Sequence, residues 1–155
     1  MIKIFIGFDP AESVAYHVLT HSIMSRSSVP VSITPLCRRN LDSFYTRPRG
    51  PLDSTEFSIS RFMVPFLSDF QGWSVFMDCD MLVRADVAEL ANFMTLNTRW
   101  RNAVHVVKHE YIPAKERKFL GAEQTKYTRK NWSSVMIFNN AMCRALTPSY
   151  VNDAP

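Results

Sequence analysis

The sequence predicts an α/β domain in which helices flank a mainly parallel sheet. Apolar, strand-like runs alternate along the chain with stretches of helical spacing, which is the order of β-α-β units. A length of 155 residues with 46% hydrophobic content provides one ordinary core and is short for two, so we predict a single domain over residues 1–155. The central strand ends abruptly in two acids, Asp78 and Asp80, and this end of the sheet is where we expect function.

The first third of the chain predicts a β-α-β unit. Ile2–Phe8 is a compact apolar strand, and residues 9–13 (DPAES) form a turn that can start a helix. Ser13–Met24 has apolar residues at mixed helical spacing, and Val29–Leu36 alternates as a strand whose two prolines confine it to short or edge pairing. Cys37–Pro51 is polar, basic and rich in proline, so we predict an irregular loop.

The middle of the chain predicts a helix, the central strand and a second, shorter helix. Ser54–Leu67 should begin as a helix capped by one of its first two residues and should bend or end near Pro65. Trp73–Met77 is a short apolar run that suits a buried strand. Beyond the acidic pair, Asp86 can cap a short helix over Val87–Met94.

The last third predicts two further strands. Ala103–Val107 follows the acidic motif at roughly the distance that a crossover needs, and Trp132–Phe138 is the other strand. Residues 111–128 are polar and are predicted to be a loop with a short helix. Ala141–Leu146 predicts a short helix, whereas residues 147–155 show no obvious terminal element, so the domain either continues in a longer parent protein or ends raggedly.

The acidic pair predicts a metal-bridged phosphate ligand. Side chains two apart on an extended segment point to the same side, roughly 7 Å from each other, while Cys79 points the other way as a small core residue. Hard cations such as Mg²⁺ and Mn²⁺ take oxygen ligands, and one or two carboxylates commonly hold them beside phosphates. The alternative for an isolated D-x-D is a solvated strand end or turn, where aspartate is also common.

The composition of the chain argues against several classes of function. The net charge of +4 suits an anionic ligand, but the basic residues are scattered and match no nucleic-acid-binding module, so we expect no nucleic-acid partner. Three cysteines without a C-x-x-C pair argue against a disulfide framework or a cysteine zinc site and are typical of a reducing compartment. No apolar run approaches the roughly 20 residues of a membrane span, and we therefore expect a cytoplasmic protein without one.

Four blocks, taken together and in order, resemble the GT-A glycosyltransferases, and within them the glycosyltransferase family 8-like proteins. The blocks are IFIGFDPAESVAY, STEFSISRFMVPFL, VFMDCDMLV and NWSSVMIFNN. In those enzymes the corresponding blocks follow in the same order. They are a nucleotide-binding strand and loop, an arginine-bearing helix, a strand that ends in aspartate-x-aspartate, and a strand near the acceptor. The resemblance spans nearly the whole chain. It implies a GT-A, Rossmann-like fold and metal-dependent transfer of a sugar from a nucleoside diphosphate sugar, with a UDP-sugar favoured, to an unknown acceptor.

The resemblance also implies roles for individual residues. Phe8 and Asp9 look like the base-binding edge, with Tyr16 as a stacking partner. Arg61 looks like the helix arginine that reaches the nucleotide or sugar, and Asp78 lies beside the diphosphate. No catalytic nucleophile is assigned.

For the metal, the resemblance implies that Asp78 and Asp80 hold Mn²⁺ or Mg²⁺ on the diphosphate. Two departures from the family pattern stand out. Trp132 replaces the asparagine, and Ser134 the glycine, of the usual N-[SA]-G-V block. The histidine that completes the metal shell in family 8 has no counterpart after Asn140, so either the chain lacks its C-terminal part or the metal site has only two protein ligands.

Two alternative functions stay open at the level of sequence. A hydrophobic strand followed by D-x-D is also the signature of haloacid-dehalogenase-like phosphohydrolases, with the first aspartate as nucleophile and the second as acid/base. Met81 and the mid-chain position of the motif count against that class. The other alternative is a catalytically inactive sugar-nucleotide-binding domain, since a fold can persist while its site is incomplete.

Overall fold

A mixed five-stranded sheet organises the chain. The computed structural model describes residues 1–51, 53–95, 102–108 and 132–154. The strands, in chain order, are β1 (Ile2–Phe8), β2 (Val31–Cys37), β3 (Trp73–Met77), β4 (Val104–Val106) and β5 (Val135–Asn139). Their spatial order is β2-β1-β3-β5-β4, with β1 parallel to both β2 and β3 and with β5 antiparallel to its two neighbours. The predicted mainly parallel α/β sheet is confirmed, since only β5 of these strands runs the other way.

Short helical elements connect and flank the strands. The α-helices are α1 (Ser13–Met24), α2 (Val64–Leu67), α3 (Ala91–Thr95) and α4 (Pro148–Asp153). The 3₁₀ turns are Pro10–Glu12, Arg38–Asn40, Ser60–Met63, Val87–Leu90 and Asn140–Met142. Across the described ranges, none of these helices has both the length and the apolar character to cross a bilayer.

The predicted helix over Ser54–Leu67 is wrong in its first half. Helical structure begins only at Ser60, because the preceding backbone is engaged elsewhere. The Ser58 hydroxyl donates to the Thr55 carbonyl at 2.9 Å and accepts from the Thr55 N–H at 3.1 Å, while the N–H of Glu56 donates to Asp9 Oδ2 at 3.0 Å. Local side-chain bonds of this kind compete with helix formation.

The C-terminal prediction is also wrong. The expected helix over Ala141–Leu146 is only the turn Asn140–Met142, whereas the residues expected to form no element contain α4. Thr147 caps α4 by accepting from the N–H of Tyr150 at 3.2 Å, and proline occupies the first turn. A threonine cap followed by proline is a helix-start signal that the sequence carried.

Strand positions agree better than helix positions. β2 and β4 lie at the two edges of the sheet, and for β2 this agrees with the edge placement predicted from its prolines. β5 begins three residues later than predicted because Ser133 is held by a side chain from another segment, as described below. The predicted loop over 111–128 lies outside the described residues.

The core lies on both faces of the two central strands. Fully buried apolar residues come from β1, α1, β2, β3, β5, α2 and the segment before α2. The largest are Phe57, Phe76, Phe138, Ile4, Ile6, Leu19, Ile23, Leu36, Met63, Val64 and Val75. Strands buried on both faces read as continuous apolar runs, which is why β1 and β3 were predicted with their observed bounds.

Gly7 on β1 makes room for an aromatic ring. A Cβ built at this position would lie 2.5 Å from ring atoms of Phe57, which is 2% exposed. That distance is far shorter than any normal carbon–carbon contact. Glycine at the end of β1 therefore lets the segment carrying Phe57 lie directly against the sheet.

We expect Gly7→Ala to lower the free energy of unfolding by about 1–3 kcal/mol, because the added methyl group forces the Phe57 ring to move. Urea unfolding monitored by circular dichroism measures the loss. Gly50→Ala is the matched control, since the nearest atom to its added Cβ is the side-chain oxygen of Asp53 at 3.4 Å. Equal stability of Gly7→Ala and the natural chain would show that the close contact with Phe57 is not a constraint.

Candidate functional site

A pocket opens where the carboxyl ends of β1 and β3 meet. Because these strands are parallel neighbours, the segments that follow them lie side by side. The residues that line the pocket are Glu12, Ser54, Thr55, Phe57, Arg61, Asp78 and Asp80. Its volume is about 150 Å³, below the roughly 300 Å³ of an ordinary ligand site, so a larger ligand must extend over the surrounding surface.

Arg61 is the buried cation of this pocket. Its side chain leaves the turn Ser60–Met63, is 7% exposed, and packs over the rings of Phe57 and Phe76 at 5.5 and 4.9 Å from their centroids. Nη1 lies 3.0 Å from Oδ1 of Asp78. Aromatic faces and a carboxylate together compensate the guanidinium for its lost water.

The same guanidinium also holds the segment before β5. Nη1 of Arg61 donates to the carbonyl of Ser133 at 2.7 Å and to its hydroxyl at 3.0 Å, and Nε donates to the carbonyl of Phe57 at 3.3 Å. The structure therefore places Arg61 at the pocket wall with most of its donors engaged by protein groups. Its predicted contact with the nucleotide or sugar stays a prediction.

Asp78 has an unusual electrostatic environment. Burial raises the pKa of its carboxyl to about 6, although Arg61 and the Ser134 hydroxyl lower it; the charges of Asp80 and Glu12 raise it further. Oδ1 is buried and lies 3.0 Å from Nη1 of Arg61. This cation compensates a carboxylate that has lost most of its water.

These features fit an oxygen-liganded cation. Asp80 is exposed at the pocket mouth, two residues beyond Asp78, so both carboxylates border the same space. Within residues 1–51, 53–95, 102–108 and 132–154, no group of three histidine, cysteine or acidic side chains is arranged to hold a metal. The aspartates thus fit the type of site in which protein supplies one or two carboxylates and the ligand supplies the rest.

Asp9 is placed as a structural cap. It is 8% exposed, with Oδ1 accepting from the N–H of Ala11 at 2.9 Å and Oδ2 accepting from the N–H of Glu56 at 3.0 Å. These bonds fix the turn after β1 and tether the segment that follows residue 53. Asp9 does not line the pocket, and its predicted base contact stays a prediction.

Phe8 and Tyr16 lie near each other but outside the pocket lining. Their rings meet edge to face with centroids 5.4 Å apart, and both residues are half-buried. Neither ring lines the described pocket that contains Asp78 and Asp80, and the predicted contacts of Phe8 and Tyr16 with the base stay predictions.

Glu12 is the acidic residue that the sequence reasoning missed. It ends the turn after β1, and its Oε2 accepts a hydrogen bond from Sγ of Cys79 at 3.0 Å. Cys79 is fully buried, as predicted for a core residue. Burial raises the pKa of its thiol, and the hydrogen bond to Glu12 raises it further, so the sulfur keeps its proton and remains a donor. The sequence signal that could have identified Glu12 is its position, because it follows the carboxyl end of a central strand.

Comparison with known sequences identifies one long relative. No protein-family model matches the chain. Protein CDI of Arabidopsis thaliana is 47% identical over 154 residues, which cover 97% of this chain and 58% of that protein. The chain therefore spans little more than half the length of this relative, whose name states no activity.

Comparison with solved structures identifies the fold. The bifunctional glycosyltransferase WbbM, in its apo form, superposes with a TM-score of 0.59 at 20% identity, over 91% of this chain and 32% of that one. Mouse xyloside xylosyltransferase 1, also in its apo form, gives a TM-score of 0.52 at 13% identity, over 97% and 73% of the two chains. At such identities the likeness is one of fold, and it confirms the expected glycosyltransferase-type fold. Membership of family 8 stays a prediction.

We expect Arg61→Met to lower the free energy of unfolding by about 3 kcal/mol at pH 8, because Asp78 is left buried without its cation. A carboxyl whose pKa is raised by folding stabilises the folded state at low pH, and that contribution is lost as pH rises through the folded-state pKa. Without Arg61 the pKa of Asp78 rises further, so at pH 5 the carboxyl is neutral in the folded variant. The loss of unfolding free energy should therefore be smaller at pH 5 than at pH 8. Urea unfolding at both pH values measures it.

Arg38→Met is the matched control for this experiment. Arg38 lies 3.6 Å from Glu56 with about 28% of its side chain exposed, and it donates to the carbonyl of Arg47 at 2.8 Å. Solvent screens the ion pair, so the loss for Arg38→Met, about 1–2 kcal/mol, should be the same at both pH values. A loss at Arg61 that does not depend on pH would contradict the buried-pair interpretation.

Proposed function

We propose that the chain is the sugar-nucleotide-binding domain of a metal-dependent glycosyltransferase, which transfers a sugar from a nucleoside diphosphate sugar to an acceptor. The observation that carries the proposal is that the carboxylates of Asp78 and Asp80 border the same pocket at the carboxyl edge of the sheet. The fold likeness to two glycosyltransferases supports the same class of reaction.

The charge balance of the pocket supports a cation. The described lining residues include three carboxylates, from Glu12, Asp78 and Asp80, and a single guanidinium, from Arg61. A diphosphate entering this pocket alone would meet a net negative charge. When bound, Mn²⁺ or Mg²⁺ neutralises that charge and stabilises the diphosphate as a leaving group. Asp78 and Asp80 are the residues that would hold it.

The protein's own contribution is orientation. Arg61 contacts Asp78 and Ser133 together, so it sets the direction of the carboxylate and the position of the segment before β5. The backbone adds to this, since the N–H of Asp78 donates to the carbonyl of Ser134 at 2.9 Å. Preorganised groups of this kind stabilise developing charge without having to rearrange during the reaction.

Donor, acceptor and cellular location are part of the proposal. A UDP-sugar is the favoured donor because of the resemblance to family 8, and the acceptor is unassigned. The cysteines Cys37, Cys79 and Cys143 are buried and unbridged, and the cytoplasmic location predicted from cysteine usage stays a prediction. Between the enzymatic alternatives, the fold likeness favours glycosyl transfer over phosphate-ester hydrolysis.

The test is calorimetric titration of UDP and GDP into the purified chain, with Mn²⁺ and with chelator. We expect one nucleotide to bind only with Mn²⁺, and Asp78→Asn or Asp80→Asn to weaken this binding at least about 100-fold, since removing groups that merely support metal ligands already costs 10–100-fold. Asp42→Asn, at an exposed turn, is the matched control and should bind normally.

Two outcomes decide the proposal. A folded chain that binds neither nucleotide with Mn²⁺ would overturn it. Release of free sugar or a glycosylated product from a UDP-sugar, followed by mass spectrometry, separates an active transferase from a domain that binds the nucleotide without turnover.

A further inference from the structure

Glu12 enters the proposed donor pocket on a rigid support. It ends the turn Pro10–Glu12, which Asp9 caps and which leads directly into α1. Its Oε2 is fixed by the thiol of Cys79 at 3.0 Å, and Cys79 is fully buried between the two metal-site aspartates in sequence. The carboxylate is therefore coupled to the same chain segment as Asp78 and Asp80.

The second carboxylate oxygen of Glu12 faces no protein partner among the described residues. Oε2 accepts the thiol, whereas no hydrogen bond or ion pair from these residues reaches Oε1. Glu12 is half-buried and lines the pocket, so Oε1 is free to accept a hydrogen bond from a ligand there.

The chemistry of a nucleoside diphosphate sugar restricts what that donor can be. Phosphate oxygens are anionic and would be repelled by Glu12. Direct ligation of one cation by all three acids is not favoured, because the described part of the chain contains no three-residue group with metal-binding geometry. Hydroxyl groups remain, and a carboxylate can accept from two of them at once.

The position of Glu12 in the pocket limits which hydroxyl groups of the ligand it can contact. Glu12 shares a pocket of about 150 Å³ with Asp78 and Asp80, so the parts of the ligand nearest to it are the units bonded directly to the diphosphate. Those units are the ribose on one side and the transferred sugar on the other, and both carry neighbouring hydroxyls. The base is one unit further away.

We infer that Glu12 is a further donor-binding residue, which accepts hydrogen bonds from hydroxyls of the ribose or of the transferred sugar, and that Cys79 is the positioning residue that fixes its carboxylate. The inference rests on the proposed function. It gives Cys79, the middle residue of the acidic motif, a role that packing alone does not require.

The first test compares UDP, 2′-deoxy-UDP and UDP-glucose by calorimetry with saturating Mn²⁺, or the guanosine counterparts if GDP is the nucleotide that binds. We expect Glu12→Ala to weaken binding about tenfold, the size expected for hydrogen bonds to a charged group. If the ribose is the partner, UDP weakens and the variant no longer distinguishes UDP from 2′-deoxy-UDP. If the sugar is the partner, UDP-glucose weakens and UDP does not.

Glu89→Ala is the control, because Glu89 is exposed and lies outside the pocket. Unchanged affinity of Glu12→Ala for every ligand would overturn the inference. So would a loss that is present at limiting Mn²⁺ and absent at saturating Mn²⁺, since that would make Glu12 a cation-binding residue. If the natural chain itself binds no nucleotide with Mn²⁺, the proposed function fails, which is a different result.

Cys79 is tested by a pair of variants that separate hydrogen bonding from packing. Cys79→Ala removes the donor and should weaken binding about threefold, because the Glu12 carboxylate is no longer held. Cys79→Ser keeps a donor and should restore affinity, although both variants lose the sulfur's packing. Thermal unfolding checks that both are folded, and equal affinities of the serine and alanine variants would overturn the positioning role.

Discussion

The ion pair between Arg61 and Asp78 is the interaction on which the functional edge of the sheet depends. One guanidinium joins the turn before α2, the end of β3 and the segment before β5, and it does so while almost fully buried. Neither charge is tolerable there alone, because each has lost its water. The aromatic rings that pack against Arg61 also stabilise its buried charge. The ring of Phe57 can occupy this position only because Gly7 has no side chain.

Among the described residues that line the pocket, acids outnumber cations. Arg61 compensates one of their three carboxylates, and it also donates to the carbonyls of Ser133 and Phe57. In the proposed function a cation offsets this charge for the diphosphate, and hydroxyl groups of the donor approach Glu12. The proposed roles of Asp78, Asp80 and Glu12 all follow from the imbalance between these acids and Arg61 in the described lining.

Local patterns predicted the elements whose determinants are themselves local. β1, α1 and β3 were predicted with their observed bounds because their apolar runs and turn residues are read within a few positions. The helix over Ser54–Leu67 was over-predicted, since the donors of its first turn are taken by Asp9 and by a serine–threonine pair. α4 has only six residues and little apolar content, so the apolar pattern predicts no helix there although Thr147 supplies the cap.

The sequence by itself determined that a buried strand ends in Asp78 and Asp80, because an apolar run and the acids that stop it are adjacent along the chain. Only the tertiary structure decided what surrounds them. Arg61 donates to Ser133, 72 residues away in the sequence, and Cys79 donates to Glu12, 67 residues away. Such partners are selected by burial and by the need to satisfy every charge removed from water, and neither quantity exists until the strands have assembled.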